Sequence, residues 1–565
     1  MFSMMALSVW MCALAGIEEK MSASTQLFIA ERDGKISLDV KLPGPPKFSR
    51  PPMLRQQPVD RYIAAAERVN GVDMVSCFIH INPNRTSKIE SMGVIVQERF
   101  NEFITAMIPV DKIERIAEVP EVLEIKVAHK MHLRTNQARY YTNTDDVINY
   151  SNDAVLAGLP QAFKGTGVVV GVVDTGIDFQ HAMFKDANGN TRIKKAYSSN
   201  SEVNVNSATT DYSGETHGTH TSSIAGGSNL VHNGTTYGGM APESDLVLVG
   251  CGQNLYNTYI TNGIKRVFDY ADSQNKPAVC SLSLGSHMGP HDGTGEFASL
   301  HAQYGGTHAN HIIVYASGNE AGYGSSYGYV HAEGNASSAA PFSTVLNGYG
   351  SYSKNSSYYG NDVFYARTSG RQVACKLHVV NTSTNTVTWT SNAITSTTSS
   401  VSGLSTYFSG SCQVTITRDS YSNKYYVQLY TNLSKKSGYT NSNYALAISV
   451  YPTSGSCYID AWDVNGYNYF ANYSRTIGDY TFVSGSDNAS AGDEAADDNV
   501  ISVGAYCSKR QVTDKNGTSH TLSEYTVGDI AYFSSYQTAG HGATGVAKPD
   551  ICAPGATIVA GVNHY

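Results

Sequence analysis

The stretch Val168-Val169-Val170-Gly171-Val172-Val173-Asp174-Thr175-Gly176-Ile177-Asp178 decides the fold. Five valines and a glycine fill positions 168–173 and leave no polar face, so the segment reads as a parallel strand buried on both sides. Such strands end at the carboxyl edge of an α/β sheet, where ligands and catalytic groups collect. This one ends on a carboxylate followed by a Thr-Gly turn, which marks Asp174 as a site residue. Further on, Glu215-Thr216-His217-Gly218-Thr219-His220-Thr221-Ser222-Ser223-Ile224-Ala225-Gly226-Gly227 reads as a helix start. Its residues are nearly all small, as close packing on a sheet requires, and His217 projects from its first turn.

Similar apolar runs at Asp245 to Gly250, Val279 to Leu284 and Ile312 to Ala316 alternate with helical or loop segments. That alternation predicts a parallel sheet with helices on both faces. From about 335 to 480 the pattern changes to polar and apolar alternation rich in Val, Thr and Tyr, as in Gln413-Val414-Thr415-Ile416-Thr417. Short antiparallel strands forming a sandwich or jelly roll are expected there. The apolar core pattern resumes at Asn499 to Ala505 and at Phe533 to Tyr536, so the β-rich part reads as an insertion.

Net charge is −8 on 565 residues with both signs interspersed, which offers no basic face for nucleic acid. No stretch after the first residues approaches 18 apolar positions, so no membrane span is expected. Met1 to Gly16 is apolar and ends in Ala13-Leu14-Ala15, which fits a secretory signal and predicts export or a place in the cell envelope. The nine cysteines are scattered and odd in number, without a C-x-x-C. Cys251, Cys280, Cys507 and Cys552 lie in apolar core segments and read as buried thiols, Cys77 falls in the N-terminal α+β part, and Cys375, Cys412 and Cys457 leave room for one bridge.

Taken together, the Asp174 and His217 segments resemble the Asp and His boxes of the subtilisin-like serine proteases, the subtilases, in that family's chain order. Three further segments agree. Ser281-Leu282-Ser283-Leu284-Gly285 resembles the family's substrate-binding strand, Ile313-Val314-Tyr315-Ala316-Ser317-Gly318-Asn319-Glu320 its oxyanion segment, and Lys548-Pro549-Asp550-Ile551-Cys552-Ala553-Pro554-Gly555 the stretch before its nucleophile box. The Gly-Thr-Ser-Met-Ala-type box itself is not found; Gly517-Thr518-Ser519 lies in a polar stretch and is not assigned, so the chain reads as truncated before the nucleophile.

What the resemblance implies is specific. His217 would be the base that makes a serine hydroxyl nucleophilic, Asp174 would fix its tautomer, and Asn319 would donate to the oxyanion. Ser283, Leu284 and Gly285, with Ser317 and Gly318, would hold a polypeptide substrate as an added strand. No cofactor is required; the resemblance leaves room for a structural calcium whose ligands the residues do not name, with Asp178 structural or adjacent to it. The organisation resembles clostridial germination-type subtilases. It comprises a signal peptide at 1–15, a Pro-rich extended connector at 16–61, and a small α+β propeptide at 62–128 that acts as an intramolecular inhibitor. A cleavage linker at 129–147, a first core part at 148–334, the β insertion at 335–485 and a second core part at 486–565 complete it.

Other readings start from the same residues. Asp174-Thr175-Gly176 also resembles an aspartic protease box; the sequence has no other Asp-Thr-Gly or Asp-Ser-Gly, and a dimer that supplied the partner carboxylate would leave the His217 segment unexplained. His217 and His220 form H-x-x-H, which lacks the i, i+4 spacing and third ligand of a zinc helix. A non-enzymatic alternative is an inactive pseudoprotease or a binding protein that uses the inserted β-domain.

Overall fold

A computed structural model describes residues between 17 and 563, apart from 18, 38–39, 42–58, 61–62, 129–131, 134–138, 140–141, 233–234, 254, 307, 323–327, 349–356, 441–442, 514–518, 541–546 and 557. The expected signal segment, 1–15, lies outside the described residues. Eight strands form the central sheet, in the order Ser201–Glu202, Ile193–Ser198, Asp245–Gly250, Val169–Asp174, Ala278–Leu282, His311–Ala316, Ile501–Cys507, Ile551–Ala556. All neighbours are parallel except the short edge strand Ser201–Glu202. This is the α/β sheet that the valine run implied.

The strand Val169–Asp174 is buried at every position, and alternate residues serve opposite faces. Val169 and Val173 pack with Val267 and Phe268 of the helix Asn257–Ser273, while Val170 and Val172 share a cluster with Ala225 of the helix His217–Gly226. Glycines set the spacing on the first face. A Cβ on Gly171 would stand 2.3 Å from Val267, and one on Gly263 would stand 2.7 Å from Val173, so both positions admit only a hydrogen. Farther along the second face, the register sets Ile312, Val314, Ile501, Val503 and Ile551 side by side. There Ile312, Ile501 and Ile551 are 44%, 37% and 57% exposed.

The N-terminal unit is a sheet of Glu67–Val69, Val72–His80, Phe103–Pro109, Ile95–Arg99 and Glu124–Val127 with short helices at Ser87–Glu90 and Ile113–Ala117. The extended connector expected over 16–61 is corrected in part: Ala23–Arg32 is a helix, capped by Ser22, whose Oγ accepts from the Thr25 N–H. The prolines that suggested a connector all lie from Pro43 onward, and Leu27, Phe28 and Ala30 upstream supply an apolar face that is buried. This helix packs on the Glu124–Val127 strand and on the inserted domain, where the Ala23 N–H donates to the Tyr426 hydroxyl at 3.3 Å. On its other face the unit meets the Asn257–Ser273 helix through Ser76 Oγ and Thr258 Oγ1 at 2.9 Å, and through Thr105 Oγ1 donating to Asn262 Oδ1 at 2.8 Å. A nearly buried ion pair, Lys126 to Glu296 at 2.7 Å, adds a charge contact.

The insertion is a sandwich. One antiparallel sheet runs His331–Ser337, Ser456–Asp463, Ser357–Ala366, Tyr425–Lys435, Phe408–Arg418; the other runs Thr386–Thr390, Val373–Asn381, Tyr444–Pro452, Phe342–Val345, Tyr480–Val483, Arg475–Ile477. Phe364, Val427 and Leu429 of the first meet Leu377, Ile448 and Val450 of the second. Its first strand begins four residues before the expected boundary at 335. Three further corrections concern local readings. Phe533 to Tyr536 is irregular rather than a strand, Cys552 is exposed at the sheet edge, and Cys375, Cys412 and Cys457 are free thiols. Among the described residues no helix is long and apolar enough to cross a membrane.

Replacing Gly171 with alanine drives a methyl group into Val267 and should destabilise the chain by about 1–3 kcal/mol. Urea unfolding of Gly171→Ala against the parent measures it; equal midpoints would contradict this packing.

Candidate active site

Asp174 closes its strand, and its carbonyl accepts the Cys251 N–H at 2.8 Å from the end of the adjacent strand. The carboxylate is therefore carried on a rigid edge rather than a free loop. His217 opens the helix that packs on the same strand, and its Nδ1 lies 2.6 Å from Asp174 Oδ1. The carboxylate is wholly buried and the imidazole side chain is 10% exposed. Its second ring nitrogen, Nε2, has no hydrogen-bond partner among the described residues. In the tautomer whose proton sits on Nδ1, that proton is donated to the carboxylate and Nε2 is the ring nitrogen left for another partner.

Donors surround the carboxylate on both oxygens. Oδ1 accepts from the Thr175 N–H at 2.7 Å and lies 3.2 Å from the Thr175 hydroxyl, and Oδ2 accepts from the Thr221 hydroxyl at 2.9 Å. The histidine is held from its own backbone too: Glu215 Oε1 accepts the His217 N–H at 2.6 Å, and the Gly218 N–H donates to Thr175 Oγ1 at 3.1 Å. Burial raises the Glu215 carboxyl above its ordinary range. These supports were not singled out from the sequence. The available signal was Thr221, four residues after His217 and therefore on the same helical face.

The remaining expected residues collect along the same edge. Asn319 follows the strand His311–Ala316, which is separated from the Asp174 strand by Ala278–Leu282 alone. Gly318 has φ +144°, a conformation that favours glycine, and its carbonyl accepts the Ser535 N–H at 3.0 Å. The Asn319 N–H donates to Glu320 Oε2 at 2.8 Å, Ser317 is buried, and Ser283 is half-buried beside the buried Leu284 and Gly285. A backbone strand is already paired there: Leu284 and Gly285 lie antiparallel to Leu133 and His132, inside the segment 129–147 read as a cleavage linker.

Two groups of residues bear on metal binding among the described residues. His217 of the H-x-x-H pair is bonded to Asp174, and burial, helped by the nearby His217, pushes the His220 imidazole down to about 4. In the inserted domain His331, Glu333 and Asp460 bring one ligand atom each within 4.8 Å of one another. There the Arg367 guanidinium meets both Asp460 oxygens, at 2.7 and 2.9 Å, and Glu333 at 3.3 Å, so the positive charge the cluster needs is already supplied.

Comparison with known proteins identifies the family. A family model described as "Subtilase family" matches residues 165–459, more than half of the chain. The chain is 28% identical over 250 residues to the subtilisin-like protease PopC of Myxococcus xanthus, covering 38% of this chain and 50% of PopC. It is 28% identical over 170 residues to the serine protease/ABC transporter B family protein tagA of Dictyostelium discoideum, covering 28% of this chain and 9% of that protein. The chain thus spans half or less of the curated relatives it matches. Among solved structures, the Clostridium perfringens CspB protease shares the fold, with a TM-score of 0.52 at 22% identity over 75% of this chain and 82% of its own.

The His220 imidazole is neutral in the folded chain and protonates below about 6.5 once unfolded, so the unfolded state takes up more protons as pH falls. Its contribution to stability is complete above pH 6.5 and is lost on acidification toward pH 4. Folding free energy from urea titrations should fall between pH 7.5 and 5 by about 2 kcal/mol less in His220→Gln than in the parent; an equal fall in both would contradict the burial of a neutral imidazole there.

Proposed function

The chain belongs to the subtilase family, and from that premise we propose that it acts as a secreted serine endopeptidase precursor that hydrolyses polypeptides. The observation that carries this reading is the 2.6 Å bond between His217 Nδ1 and Asp174 Oδ1, with Nε2 left without a partner among the described residues. In the proposed mechanism Nε2 takes the proton of a serine hydroxyl as the oxygen attacks the scissile carbonyl. Asp174 holds the tautomer and stabilises the imidazolium that forms, and Asn319 donates to the oxyanion. The same imidazolium then gives its proton to the leaving amine.

The serine is expected on a Gly-Thr-Ser segment after the Ala553-Pro554-Gly555 stretch. Two features support that place. The backbone beyond Gly555 runs to Gly561, whose N–H donates to Ser223 Oγ at 2.9 Å, and to Asn563, whose side-chain amide donates to the Glu215 carbonyl at 2.5 Å, two residues before His217. The second is the apolar face of Ile312, Ile501 and Ile551, on the same side of the sheet as the His217 helix. Parallel sheets are covered on both faces, and a helix laid there would bring its first residues toward Nε2.

The N-terminal unit fits the role of a propeptide. Its His132–Leu133 segment pairs with Leu284–Gly285 as a substrate strand would, so the bound tail keeps the groove filled until it leaves. Cleavage within 129–147 would then convert a zymogen.

A fluorophosphonate probe should label the full-length protein with its serine segment, and His217→Ala should abolish that labelling. Asp174→Asn should lower kcat by about a thousandfold or more without unfolding the protein. Labelling that survives in His217→Ala, or an alanine or glycine at the serine position, would overturn the peptidase reading in favour of a pseudoprotease.

A further inference from the structure

Asp174 has two oxygens, and they are supported unequally. Oδ1 is shared by the His217 ring, the Thr175 N–H and the Thr175 hydroxyl. Oδ2 is met, among the described residues, by the Thr221 hydroxyl alone, at 2.9 Å. Thr221 is buried on the inner face of the His217 helix. Its single proton has three acceptors within reach: Asp174 Oδ2, and the His217 and Gly218 carbonyls of the preceding turn, each at 3.1 Å. The carbonyls are neutral and, within the helix, have amide donors of their own. The carboxylate is charged, wholly buried and nearest, so the proton goes to Oδ2.

The geometry points to Thr221 as a positioning residue: a hydroxyl on the base's own helix that clamps the free oxygen of Asp174 and so fixes the plane of the carboxylate facing the imidazole. Helix and strand are thereby joined twice through one carboxylate, from His217 to Oδ1 and from Thr221 to Oδ2. Without that hydroxyl, Oδ2 is a buried anionic oxygen with no donor, and the carboxylate rotates toward other partners. The neighbouring ionisable groups do not replace it. Glu215 is engaged with the His217 N–H, His220 is neutral near pH 7, and Cys251 is a buried thiol whose ionisation burial disfavours. This inference rests on reading Asp174 and His217 as an acid–base pair.

The test separates the two claims. In proton NMR of the 565-residue chain, the Nδ1 proton of His217 should appear as a downfield signal, assigned by its loss in His217→Gln. It should persist in Thr221→Ser, which keeps the hydroxyl, and broaden or vanish in Thr221→Val, which keeps the shape. In the full-length enzyme Thr221→Val should lower kcat about tenfold with KM unchanged, and Thr221→Ser should restore it. Thr221→Ala gives the same readouts should the valine variant fold poorly. An unchanged signal and unchanged kcat in Thr221→Val overturn the role of Thr221 and leave the pair standing. Absence of the signal from the parent chain overturns the pair itself, and this inference with it.

Discussion

A buried carboxylate at the end of a buried strand is the constraint from which the site follows. An isolated anion in an apolar sheet is costly, so Asp174 is stable only where donors reach it from every side. Thr175 supplies two from the turn, and the helix that packs beneath supplies His217 and Thr221. Helix and strand must therefore approach closely, and the small residues of the His217 helix allow it. A Cβ on Gly218 would stand 2.6 Å from the Gly176 carbonyl, and one on Gly226 would stand 2.4 Å from Leu246. The glycines that look permissive in the sequence are what bring the imidazole within hydrogen-bonding distance.

That dependence explains what was legible beforehand. The run from Val168 to Asp174 announces its fold because both faces are apolar and its end is not. The order of the Asp, His and Asn segments announces a site because residues far apart in sequence meet at one sheet edge. The Ala23–Arg32 helix was missed for the opposite reason. Its weak amphipathicity disappears beside the prolines that follow, and it is stabilised by burial against Tyr426 and the Glu124–Val127 strand, contacts that lie far away in the chain. The spacing of Thr221 from His217 places both on one helical face, but what that face meets is visible only once the Asp174 carboxylate is seen opposite it.

The insertion interrupts the core between the Ser317–Glu320 segment and the next sheet strand, yet the sheet is undisturbed. Entry and exit are tied to one brace. Going in, the Glu320 N–H donates to Ser535 Oγ and the Ala321 N–H to the Phe533 carbonyl; coming out, the Ser490 N–H donates to the Tyr536 carbonyl. Phe533 to Tyr536 reads as a strand from its apolar composition, but its backbone hydrogen bonds serve these two chain crossings, while the Ser534 hydroxyl accepts the Ala505 N–H of the sheet. A domain joined at two points held this close adds little loop-closure entropy to the core.

The returning chain then does more than resume the sheet. Glu494 receives the Ser286 N–H at 2.9 Å and its hydroxyl at 3.2 Å, and the Gly492 N–H donates to the Ser317 carbonyl at 3.0 Å. Ser286 follows the Leu284–Gly285 strand, and Ser317 begins the turn that leads to Asn319. One short segment thus braces both the backbone that pairs with the N-terminal tail and the loop that carries the oxyanion candidate. Both must be rigid for a substrate strand to be held in register with His217. Residues 492–494 follow the sandwich directly in the chain, so the segment that braces both places is the one by which the insertion rejoins the core.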